Sequence, residues 1–161
     1  TTRGLGGSFA YNSSETVADM LSSNELIDYL IDTVSKNGNV LINVGPDSFG
    51  QIPIIQQAPL LGLGNWMAVN SEAIYATRPW TRFHNKRGRE LRYTRNDTTL
   101  YAIVLGDVDA NFTIEEPGTS YSSIRVLGAK VINTNSTDGI LTIDIDKPMA
   151  GPAVVVRFDL P

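Results

Sequence analysis

The hydrophobic period of this 161-residue chain changes near Trp80, and no single type of layer accommodates both halves. Before that point apolar residues recur at helical spacing. Ser22-Ser23-Asn24-Glu25 has the form of a capping box, Leu26, Ile27, Leu30 and Val34 follow on one face, and Asn37-Gly38 supplies a stop. Val40 to Val44 then reads as a short strand of the doubly buried kind found in parallel sheets, closed by Gly45-Pro46-Asp47. A second helix starts at Pro53 and runs through Leu60, Leu61, Leu63, Trp66, Met67 and Val69, with a kink or restart expected at Pro59. Helix, strand, helix is the pattern of the last turns of a βα-repeat domain. After Trp80 the segments Glu90–Thr94, Leu100–Leu105, Phe112–Glu115, Ile124–Leu127, Ile140–Ile145 and Val154–Phe158 read as short strands separated by turn residues. In the fifth, Leu141, Ile143 and Ile145 share one face. The expected fold is α/β followed by all-β. Residues 1–80 end a βα domain, residues 81–161 form an antiparallel β-sandwich, and the polar, basic stretch Thr81–Arg89 links them.

Charge and composition remove several classes of function. The net charge is −4, and the basic stretch from Arg78 to Arg95 is interrupted by Glu90, so a nucleic-acid partner is not expected. No apolar run approaches the ~18 residues of a membrane span. Without cysteine there is no disulfide, thiolate metal site or thiol nucleophile, and His84 is the only histidine, too few for a zinc centre. Gly4-Leu5-Gly6-Gly7 lacks the Lys-Ser/Thr of a phosphate loop. Thr1-Thr2-Arg3-Gly4 has no initiator Met and no signal-peptide pattern, so the chain is expected to be part of a longer protein. Four acceptor triplets for N-glycosylation begin at Asn12, Asn96, Asn111 and Asn135. Asn96 and Asn135 are expected at turn tips, and the set points to a secreted or extracellular protein, lysosomal-like location included. Asp28 and Asp32, one helical turn apart, read as a solvated face. Asp47 is either a working group on a strand-end loop or a turn former after proline.

Three stretches carry a resemblance. Thr33-Val34-Ser35-Lys36-Asn37-Gly38-Asn39-Val40-Leu41-Ile42-Asn43-Val44-Gly45-Pro46, the run from Gly62 to Trp80, and Ser8-Phe9-Ala10-Tyr11-Asn12 resemble, in order, segments of glycoside hydrolase family 29 α-L-fucosidases. The departures are Ser71 where the family usually has Gly, Phe49-Gly50 where an Asp-Gly pair is common, and Pro59 in a helix that is usually unbroken. The resemblance implies the last units of a TIM-like barrel followed by a C-terminal β-sandwich. It also implies a retaining hydrolase of terminal α-L-fucosyl linkages that needs no metal or organic cofactor. Such an enzyme uses two carboxyl groups about 5–5.5 Å apart. By resemblance both lie upstream of Thr1, so no residue of this chain is assigned a catalytic role, and the expected partners are the upstream barrel portion and a fucosylated glycan.

Within the resemblance Phe9 and Tyr11 are expected to bind substrate, because a 6-deoxy sugar needs an apolar patch; alternatively they plug the core beneath their loop. Asn43 is either a hydrogen-bonding group that positions an active-site loop or a buried amide tying the strand to its neighbour. Glu72, Tyr75, Arg78 and Trp80 are expected to form the joint between the two halves, away from the substrate face. The rival reading is a non-catalytic carbohydrate-binding or structural sandwich. A sugar platform needs exposed rings, and Phe112, Tyr121 and Phe158 are scattered one per segment, which favours a structural role.

Overall fold

The computed structural model describes residues 1–161 and is built mostly of β-sheet with two α-helices. A short strand, β1 (Thr2–Gly4), leads through a long loop to helix α1 (Ser23–Ser35), which returns the chain to β2 (Leu41–Asn43). β1 and β2 pair in parallel, Thr2 opposite Leu41 and Gly4 opposite Asn43. The start of α1 is set as its sequence requires: Ser22 Oγ accepts from Glu25 N, and the Glu25 carboxylate accepts from Ser22 N at 2.8 Å. At its end Asn37 takes the left-handed conformation (φ 69°) that often falls to glycine, and Gly38 N donates back to Thr33 O. Helix α2 (Ile54–Asn70) runs through Pro59 without interruption, so no restart occurs there. Pro59 lies in its second turn, beside the helix N-terminus.

β2 differs from the expected doubly buried strand. It is three residues long, it has one neighbour, and Leu41 is 64 % exposed.

The remaining strands form two antiparallel sheets. One has five strands in the order β3 (Arg78–His84), β4 (Leu91–Arg95), β5 (Thr99–Leu105), β10 (Ala153–Asp159) and β7 (Ser123–Val126); the other has β6 (Asn111–Glu115), β9 (Ile140–Ile145) and β8 (Val131–Thr137). The middle of the five-stranded sheet is buried on both faces, which explains why β5 and β10 are apolar almost throughout. Leu100, Ala102, Val104, Val154, Val156 and Phe158 face Phe112, Ile114, Leu141, Ile143 and Ile145 of the other sheet. On the opposite face Tyr101, Ile103, Ala153 and Val155 meet Ile27 and Ile31 of α1, Trp66 of α2, and Ala73 and Ile74. The helical segment and the sheets therefore share a core.

Thr81–Arg89, expected as a linker, is part of the five-stranded sheet and its first turn. Its first half belongs to β3, and its second half is the β3–β4 turn. Basic residues suit this place because β3 is an edge strand with solvent on one side. Arg82 reaches the Glu115 carboxylate at 3.3 Å, and that carboxylate also accepts from Lys86 N at 2.7 Å.

Candidate functional site

Two loops meet at the C-terminal ends of the parallel strands, and a small set of contacts fixes them. Leu5 N donates to Asn43 O and Leu5 O accepts from Leu21 N, so the buried Leu5 closes the loop 6–20 at both ends. Within the loop Glu15 Oε1 accepts from Ser8 N at 2.7 Å, and Asn12 Nδ2 donates to Ser8 Oγ at 3.0 Å. Asn43 Nδ2 donates to Phe9 O at 2.6 Å and ties this loop to the end of β2. The half-buried Asn43 amide thus ties the end of β2 to the loop that carries Phe9.

Gly45 sits where that loop passes closest. A Cβ at this position would lie 2.6 Å from Tyr11 N and 2.8 Å from the Ala10 carbonyl carbon. Gly45 N donates to the buried Gln56 Oε1 at 2.9 Å, so one side chain from the first turn of α2 holds the strand end. Beyond it, a concavity of about 240 Å³ lies between Tyr11, Asn12, Pro53 and Ile54.

Within this chain Phe9 is 60 % and Tyr11 49 % exposed. Phe49 and Ile54 on the second loop and the start of α2 are also exposed. Asp47 serves the turn rather than presenting a free acid: its Oδ1 accepts from Phe49 N at 2.8 Å and Gln51 N at 2.9 Å. Asp19 and Glu15 are committed likewise, Asp19 to Thr16 in a capping box and Glu15 to Ser8. Asp32 forms ion pairs with Lys36 and with Arg92 of β4; burial raises its carboxyl, but those hydrogen bonds outweigh it and hold it below the usual range. Asp28, on the same helix, is pushed up by burial and by Glu90.

The run from Glu72 to Trp80 is bound to the five-stranded sheet. Arg157 of β10 donates to Glu72 Oε2 at 2.5 Å, Thr94 Oγ1 donates to Ala73 O at 2.6 Å, and Trp80 packs against the inter-sheet core. His84 is exposed on β3.

The acceptor asparagines fall in different settings. Asn96 occupies the β4–β5 turn as expected, its Oδ1 accepting from Thr98 N at 3.1 Å. Asn135 does not sit at a turn tip: it lies within β8, exposed on the edge of the three-stranded sheet. Asn111 is exposed on β6 with its amide on Asp144, and Asn12 is engaged by Ser8.

Sequence reasoning missed Gly45 and Gln56. In the sequence Gly45 ends a strand and belongs to the stretch that carries the resemblance. A glycine directly after an apolar strand signals close backbone approach as well as a turn. Gln56 gave no signal, since a glutamine in a first helical turn is ordinarily solvated.

A family model described as α-L-fucosidase matches residues 1–72. The tissue α-L-fucosidase of Macaca fascicularis is 33% identical over 153 residues, and that of Homo sapiens 35% identical over 150; each match takes in 92% of this chain. The crystal structure of the Thermotoga maritima α-fucosidase in complex with fucose superposes with a TM-score of 0.82 at 35% identity, covering 98% of this chain and 39% of that one. The chain spans 32% of the length of the two curated relatives.

Proposed function

We propose that this chain, which belongs to the α-L-fucosidase family and matches its C-terminal portion, completes a retaining hydrolase of terminal α-L-fucosyl linkages. Residues 1–80 supply the last βα units of a TIM-like barrel, and residues 81–161 form its C-terminal β-sandwich. The observation that carries this reading is the parallel pair β1–β2, joined through α1 and bare on its outer side. Parallel strands occur almost solely in sheets covered on both faces. The exposed Leu41 and the unpaired strand edges are therefore the surface on which the upstream barrel portion closes.

In such a barrel, substrate lies over the C-terminal ends of the strands. Phe9 and Tyr11, held there by Asn43 and Gly45, are the groups that meet the sugar. An aromatic ring suits the methyl and C–H face of fucose, and Asn43 acts by positioning the loop. The carboxylates on these loops are each bound to backbone N–H groups of their own loop, which fits a chemistry supplied by the upstream portion. In the sheets, Phe112 and Phe158 are buried and Tyr121 packs on Phe158 at 5.0 Å between centroids. That arrangement favours a structural sandwich over a sugar platform.

The test is replacement of Phe9 or Tyr11 by Ala in the complete enzyme. Each is expected to lower kcat/KM for a fucoside by roughly tenfold or more, on the scale of burying one apolar side chain. Unaltered kinetics in both variants would remove these loops from the substrate.

No helix is long and apolar enough to cross a membrane. We place the enzyme in the secretory route, secreted or lysosomal-like, with glycans at Asn96, Asn111 and Asn135; an unchanged mass after enzymatic deglycosylation of protein from its native host argues against this.

A further inference from the structure

Phe49 is 86 % exposed, more than any other large apolar side chain here. It is not on a floppy tip. Asp47 Oδ1 receives both Phe49 N and Gln51 N, Asp47 N donates to Gln51 O at 2.9 Å, and Gly50 N donates to Asp47 O at 3.0 Å. Gly50 supplies the left-handed residue that closes this turn, at φ 77°. Four hydrogen bonds thus fix the backbone under a ring that contributes nothing to the core. An aromatic side chain on a fixed backbone loses little entropy on binding, which is the economy of a recognition group.

Resting on the function proposed above, we infer that Phe49 determines specificity for the leaving group, by stacking on the apolar C–H face of the sugar to which fucose is attached. The turn that carries it follows the strand end at Asn43 and Gly45, the same two residues that hold the Phe9–Tyr11 loop. Phe9 and Tyr11 lie on the loop after β1 and Phe49 on the turn after β2, so the two aromatic groups are carried by different loops at the same strand ends.

The experiment compares Phe49→Ser with the unaltered complete enzyme on two substrates. One is an α-L-fucosyl disaccharide whose second sugar is galactose; the other is α-L-fucosyl fluoride, whose leaving group is a single atom and offers no ring to stack. The ratio of kcat/KM for the disaccharide over the fluoride is expected to fall about tenfold, a stacking contact's worth. The inhibition constant of free L-fucose is expected to stay within twofold, and Phe49→Tyr to restore most of the ratio. An unchanged ratio overturns the inference. So does an equal loss on both substrates with weaker fucose inhibition and a lowered Tm, because the ring would then be packing against the rest of the enzyme. If the unaltered enzyme neither binds fucose nor cleaves either substrate, the proposed function fails as well. Normal wild-type turnover beside an indifferent Phe49→Ser variant removes this inference alone.

Discussion

Gly45 shows how one missing side chain shapes the site. The backbone of Ala10 and Tyr11 occupies the space where a Cβ would be, at 2.6 Å from Tyr11 N. Gly45→Ala must push the aromatic loop away or bend the end of β2. Because the obstruction is backbone, relief by a rotamer change is closed. The expected cost is about 1–3 kcal/mol of stability, typical of overpacking, together with a raised KM for fucoside as Phe9 and Tyr11 shift. Thermal unfolding and steady-state kinetics on the complete enzyme check both, and a variant with unchanged Tm and KM contradicts the contact. Gln56→Leu removes the acceptor for Gly45 N and should cost about 1–3 kcal/mol, since a buried N–H is left unpaired. At this scale the sequence was partly legible. Residue type alone makes Phe9, Tyr11 and Asn43 candidates for a sugar site, and the Asn43–Phe9 bond joins two of them, whereas Gly45 and Gln56 act through space to partners 34 and 11 residues away in the chain, which no local pattern reveals.

Elements with an apolar face were the readable ones. Helix α1 carries its capping box and its Leu26, Ile27 stripe, and β9 carries the alternation of Leu141, Ile143 and Ile145 that meets the inter-sheet core. β3 and β8 give no strand pattern because their side chains are mostly polar, unlike those of β6 and β7, which are edge strands too; pairing rather than patterning makes them strands. The same fact moved Asn135 out of its expected turn. Charged groups then lock the element ends. The Asp159 carboxylate at the end of β10 is held well below the usual range by the Ser123 hydroxyl, then Arg125 of β7 and Arg157, against an opposing contribution from burial. A carboxyl whose pKa is lowered by folding stabilises above its unfolded value, ~3.9, and loses that contribution as pH falls toward its folded value. Asp159→Asn should therefore lower stability at pH 7, by about 1–2 kcal/mol for charge-assisted hydrogen bonds at a half-buried site. The gap between variant and wild type should narrow as pH drops below 4. Denaturant titrations at pH 7 and pH 3 measure it, and a gap that widens in acid refutes the assignment. Replacing Glu72 by Gln weakens the bond to Arg157 that ties the end of α2 to the five-stranded sheet. Its effect should fall on Tm, with KM for fucoside unchanged.

At the scale of the molecule, three layers share two cores: helices, a five-stranded sheet whose central strands are buried on both faces, and a three-stranded sheet. The change of period near Trp80 announced two kinds of layer. It gave no hint that α1 and α2 cover one face of the five-stranded sheet, because which element lies against which is a matter of long-range packing. It also suggested a doubly buried β2 where Leu41 lies open; the apolar pattern of Val40 to Val44 is that of a strand with neighbours on both sides. The central claim is that this chain completes an α-L-fucosidase whose reacting carboxylates lie elsewhere in the enzyme. Hydrolysis of an aryl α-L-fucoside tests it most directly, measured for the purified 161-residue chain alone and after association with the upstream barrel portion. No turnover by the chain alone, and turnover once the two are joined, is the predicted result; turnover by the chain alone, with contaminating enzyme excluded, would contradict it.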